Sequence, residues 1–126
     1  MAKNNCNLQV NCENGILTAK LCGELDHHGA VAVRTLIDAE MTRCKPQKTV
    51  LELSELDFMD SSGLGLIMGR YALAQRMGGE FSVSRPNERI LKIFKLAGLE
   101  RIVKLEGVVC EKNKKERRKA NETKGN

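Results

Sequence analysis

The chain is short of the residues that most chemistries need. Among 126 residues there is no tryptophan, one tyrosine, three phenylalanines and two histidines. A core with so few aromatics must be aliphatic, built from Leu, Ile, Val, Ala and Met. No apolar run approaches the ~20 residues of a membrane span. The opening Met1-Ala2-Lys3-Asn4-Asn5 has no apolar signal region, so the expected location is the cytoplasm. There is no Cys-x-x-Cys; Cys6, Cys12, Cys22, Cys44 and Cys110 are scattered and odd in number. That pattern fits a reducing compartment in which thiols act as small hydrophobes. A phosphate-cradling Gly-x-x-x-x-Gly-Lys-Ser/Thr loop is missing, so no nucleotide cofactor is expected. So is the Gly-x-Ser-x-Gly elbow of a serine hydrolase. His27 and His28 are adjacent, and neighbours on a helix point about 100° apart, a poor arrangement for one metal ion. These absences argue against an enzyme.

The charge that is present is unevenly spread. The net value is +5, yet 111–126 alone holds seven Lys/Arg and three Glu. The pI near 9.1 therefore describes the end of the chain and not the rest of it. We read 1–110 as one domain and 111–126 as a basic, disordered tail. The tail has no aromatic on which a base could stack, so specific nucleic-acid binding is not expected.

Periodicity divides the domain into alternating elements. Leu8-Gln9-Val10-Asn11-Cys12 alternates as a strand, and Asn14-Gly15 signals a hairpin into a return strand over 16–22. Gly23-Glu24-Leu25-Asp26 is expected to leave the sheet, with Asp26 able to cap a helix running to about Arg43. Ala30, Val33, Leu36, Ile37 and Met41 form that helix's apolar face, and Lys45-Pro46 ends it. A third strand is expected over 48–53, a second helix over 62–77 and a fourth strand over 80–84, with Phe81 and Val83 on one face. Pro86-Asn87 opens a third helix, striped by Ile90, Leu91, Phe94 and Leu96-Ala97 and closed by Gly98. Residues 101–105 form either a short strand or a docking segment. Strand–helix–strand units imply parallel neighbours. The expected fold is α/β: a mixed four- to five-stranded sheet with helices packed mainly on one face.

One stretch organises the rest: Leu56-Asp57-Phe58-Met59-Asp60-Ser61-Ser62-Gly63-Leu64-Gly65-Leu66-Ile67-Met68-Gly69-Arg70-Tyr71. An apolar strand leads through Asp60-Ser61-Ser62-Gly63 into a helix with Leu64, Ile67, Met68, Tyr71 and Ala72 at helical spacing, stopped by Gly78-Gly79. Asp60, Ser61 and Ser62 can each accept a hydrogen bond from the free N–H groups of that helix, so either serine could be a cap. Alternatively, a hydroxyl on the surface at a helix mouth is a modification site, where a phosphate adds roughly −1.5 to −2 charges. Gly65 and Gly69 cost a helix roughly 1 kcal/mol each against alanine. Close approach to a sheet or to a partner would compensate.

The stretch 56–71 resembles the central motif of STAS domains, the family of anti-sigma factor antagonists. Gly23-Glu24-Leu25-Asp26-His27-His28 agrees with it, and Gly78-Gly79-Glu80 and Ala97-Gly98-Leu99 agree more loosely. The resemblance spans about 7–106 and implies a STAS fold. It implies phosphorylation on the serine that directly follows the aspartate, Ser61, with Ser62 as second choice. It implies an unphosphorylated form that binds an anti-sigma factor, itself a serine kinase holding the ATP or ADP, and so releases a sigma factor for sporulation-type transcription. A serine phosphatase would reset the cycle. The resemblance also implies that Asp26, His27, Asp60, Ser61, Ser62 and Gly63 meet that partner. Asp26 is either the acidic member of an ion pair with a basic residue of the partner or a helix cap. The alternative role is partner switching in a stress-response or other signalling pathway. The basic tail departs from the family pattern.

Overall fold

In the computed structural model, residues 6–107 are described; the tail over 111–126 and Cys110 lie outside them. Asn14 and Gly15 both take positive φ, 55° and 79°, the backbone that a type I′ turn needs. They join β1 (Cys6–Glu13) to β2 (Ile16–Leu25), antiparallel from Cys6 opposite Gly23 to Glu13 opposite Ile16. The chain then alternates: α1 (His27–Cys44), β3 (Lys48–Met59), α2 (Ser61–Arg76), β4 (Glu80–Ser84) and α3 (Glu88–Leu96). A single 3₁₀ turn, Leu99–Arg101, leads to β5 (Lys104–Glu106), so the closing segment is a strand. The sheet order is β1-β2-β3-β4-β5, with every pair after the hairpin parallel.

One face of this sheet is apolar. Leu17, Ala19 and Leu21 of β2 stand beside Leu51 and Leu53 of β3 and Phe81 and Val83 of β4. Ala30, Val33, Ile37 and Met41 of α1, Leu66, Ile67 and Ala74 of α2, and Ile90 and Phe94 of α3 join them in one core. The opposite face carries charge in pairs. Lys20 lies 3.1 Å from Glu55, Arg85 3.0 Å from Glu52, and Lys48 2.6 Å from Glu106. Such partly exposed pairs contribute at most about 1 kcal/mol each.

Several expectations need correction. β2 and β3 do not stop at Cys22 and Leu53; they continue together to Leu25 and Met59. Register shifts between Lys20 and Cys22 and between Gly23 and Glu24 break the twofold alternation there. In β3 this buries Leu53, Leu56 and Met59 at intervals of three, a pattern that does not read as a strand. Gly23-Glu24-Leu25 therefore stays in the sheet. Leu36 and Leu96 are 53% and 82% exposed. The buried residues of α1 recur at 30, 33, 37 and 41, and Leu36 lies about 100° off that line. Gly65 and Gly69 do not pack on the sheet: a Cβ at either would meet nothing within 4 Å.

Candidate functional site

β2 and β3 end side by side, with Leu25 paired to Met59. Each is followed by one aspartate in extended backbone and then a helix. Asp26 (φ −109°, ψ −173°) caps α1, its Oδ1 accepting from the Gly29 N–H at 2.8 Å. Asp60 (φ −97°, ψ −169°) caps α2, its Oδ1 accepting from the Ser62 N–H at 2.9 Å and from the Ser62 hydroxyl. The Asp60 N–H donates to the Leu25 carbonyl at 3.2 Å, tying the two helix mouths together. Neither serine is the cap. Asp60 is long enough to reach forward to the second free N–H of α2, and Ser61 is already the first helical residue.

The serines differ in what holds them. Ser62 is half-buried and its hydroxyl is committed to Asp60. Ser61 is exposed, and its hydroxyl makes no side-chain hydrogen bond among the described residues. Gly63 is buried against Met59: a Cβ there would sit 2.6 Å from the Met59 Sδ. The Ser62 hydroxyl, the Ser62 N–H and nearby His27 hold the Asp60 carboxyl below its usual range. His27 and His28 are exposed at the mouth of α1, their rings 6.0 Å apart and edge-on. The structure thus gathers Asp26, His27, Asp60, Ser61, Ser62 and Gly63 at one edge of the sheet, on the first turns of two neighbouring helices.

A groove of about 320 Å³ runs from this edge between α1 and α2. His27, Val31 and Arg34 line it from α1, and Ser62, Gly65 and Arg70 from α2. Arg34 and Arg70 were not among the candidate residues. The only signal for them in the sequence is position: Arg70 follows Gly69, and Arg34 is one helical step from Val31. A larger hollow, about 890 Å³, lies along α3 beside Asp57, Asn87 and Lys92, and none of the 60–63 residues borders it.

The site is thus an exposed serine at a helix mouth, at the C-terminal end of the central strand of a mixed five-stranded sheet. Residues 7–111 match the STAS domain family, and the chain belongs to it. Within that family it is 42% identical over 99 residues to the anti-sigma F factor antagonist of Paenibacillus polymyxa, across 77% of this chain and 85% of that one. The solved structure of the anti-sigma factor antagonist SpoIIAA in its unphosphorylated form superposes with a TM-score of 0.71 at 25% identity, covering 90% of this chain and 97% of the other. The phosphorylated form of the Bacillus cell fate determinant SpoIIAA superposes with a TM-score of 0.66 at 26% identity, over 88% and 98% of the two chains.

Proposed function

We propose that this protein is an anti-sigma factor antagonist acting in the cytoplasm, switched by phosphorylation of Ser61. Unphosphorylated, it binds an anti-sigma factor through the helix mouths that carry Asp26, His27 and the 60–63 turn, and thereby frees a sigma factor of the sporulation type. The partner is the serine kinase and holds the nucleotide; a separate phosphatase restores the hydroxyl. The observation that carries this reading is the contrast between the two serines. Ser61 is exposed with its hydroxyl available, whereas Ser62 is spent on Asp60. Relatives in this family support it, one of them solved both with and without phosphate.

The switch needs only electrostatics. A phosphate on Ser61 brings roughly −1.5 to −2 charges beside the Asp60 carboxylate. The first turn of α2 tolerates an anion, because its free N–H groups and dipole favour one. The fold therefore survives modification, while a partner surface matched to a neutral hydroxyl loses its fit. Incubating the protein with the anti-sigma F factor of Paenibacillus polymyxa and ATP tests this directly. Mass spectrometry should place one phosphate on Ser61, Ser61→Ala should take none and stay bound, and Ser61→Asp should bind weakly. A phosphate found on Ser62 would overturn the assignment.

A further inference from the structure

Arg70 is a buried cation without enough acceptors. It lies on the inward seam of α2 with Gly63, Leu66, Ile67 and Ala74, and its side chain is 8% exposed. Its Nε stands 2.7 Å from Asp38 Oδ1, but the two are misaligned, so the contact is coulombic and neither atom is hydrogen-bonded. Nη1 is buried and has no partner among the described residues. Burial pulls the guanidinium's pKa down; Asp38 opposes this, and the Arg34 and Arg76 charges add to it. Among the described residues Asp38 is the one carboxylate acting on Arg70, against the charges of two neighbouring arginines. A buried charged donor left unpaired costs more than an ordinary hydrogen bond returns.

Arg70 and Arg34 line the groove between α1 and α2. Val31, 45% exposed, adds an apolar patch to the α1 wall beside Arg34. The α2 wall, which carries Arg70, is bare helix backbone at Gly65 and Gly69, in front of which there is open space. No contact among the described residues requires glycine at either position, although each weakens the helix. A second backbone lying across them would require it.

We infer that this groove receives a segment of the protein partner that carries an aspartate or glutamate. Its carboxylate pairs with Arg34 and with the part of the Arg70 guanidinium that lines the groove, and its backbone passes over Gly65 and Gly69. Arginine forks match carboxylates in geometry as well as charge. A cavity of about 320 Å³ holds a few side chains and not a folded domain. His27 and Ser62 border both the groove and the helix mouths, so the occupant is the protein that meets Ser61. The inference rests on the antagonist reading to that extent.

Calorimetry of the full chain with the anti-sigma F factor of Paenibacillus polymyxa separates the two ideas. Gly69→Leu reaches into the groove from a position where an added Cβ meets nothing within 4 Å, and leucine suits a helix better than glycine. Arg34→Glu reverses an exposed charge on the facing wall. Both variants should melt at or above the wild-type temperature, and both should bind the anti-sigma factor roughly tenfold or more weakly. If wild type binds and both variants bind equally well, the groove is not the seat, and the antagonist reading stands. If wild type does not bind, both fall together. Inorganic phosphate or acetate titrated into the free protein supplies the last arm. Saturable shifts of the groove resonances at millimolar concentration or below would make this a small-anion site and overturn the protein-segment assignment.

Discussion

Asp26 and Asp60 do the same local work, and substitution separates what else each does. Asp26→Ala removes the acceptor for the Gly29 N–H and should cost about 1 kcal/mol in denaturant unfolding. Asp26→Asn should cost almost nothing in stability, because asparagine caps as well as aspartate. It should nevertheless bind the anti-sigma factor several-fold more weakly if a partner cation faces the carboxylate; equal affinity would leave Asp26 a cap and nothing more. For Asp60 the readout is pH. Its pKa is depressed in the folded state, first by the Ser62 hydroxyl. Its contribution to stability is therefore present above the unfolded value of about 3.9 and is lost as pH falls through the folded one. The melting-temperature gap between wild type and Asp60→Asn should be widest near neutral pH and close as the pH falls below about 4. The capping chemistry was legible in the sequence as a set of short polar residues before an apolar period. Which of them caps was not, because a serine and an aspartate one residue apart reach different N–H groups of the same turn.

The three glycines at the start of α2 look alike in sequence and differ in structure. At Gly63 a methyl would drive into the buried Met59 side chain, 2.6 Å from its sulfur. Gly63→Ala should therefore cost about 1–3 kcal/mol, the usual range for overpacking. Gly65→Ala and Gly69→Ala face open space and should each stabilise the fold by up to about 1 kcal/mol. Urea unfolding of the three variants checks the sign in each case. A similar limit applies to the strands. The strand over 80–84 showed in its alternation, and the return strand over 16–22 in the Asn14-Gly15 hairpin signal. The extensions of β2 and β3 did not, since a bulge changes which residues face the core without changing their identity. Arg70 was hidden for a related reason: a lone arginine between helical apolar residues reads as the solvated side, yet here it lies on the inward seam.

At the scale of the whole molecule, the class of fold and the position of its site follow from order alone. A hairpin followed by alternating helices and strands leaves few topologies, and two neighbouring parallel strands must present their following helices at the same edge. The charge of the chain is set elsewhere. Residues 111–126 contribute +4 of the net +5, while the buried apolar cluster of the described residues runs from Cys6 to Val103. Deleting 111–126 should leave the melting temperature nearly unchanged, because that segment has no apolar face to bury. A loss of many degrees would mean that it docks on the domain.

The hairpin turn at Asn14-Gly15 lies at the far end of β2 from Asp26. The Gly15 carbonyl accepts the Gln47 N–H there, and Gln47 in turn accepts the Glu80 N–H, so that pole is a closed knot of turns. Ten residues of β2 separate it from the helix mouths, about 30 Å at a strand's rise. Glu13 and Asn14 are exposed. A biotin or fluorophore attached at that pole would hold the molecule to a sensor surface with its recognition end pointing into solution. Every affinity measurement proposed above could then be made on a uniformly oriented layer of protein.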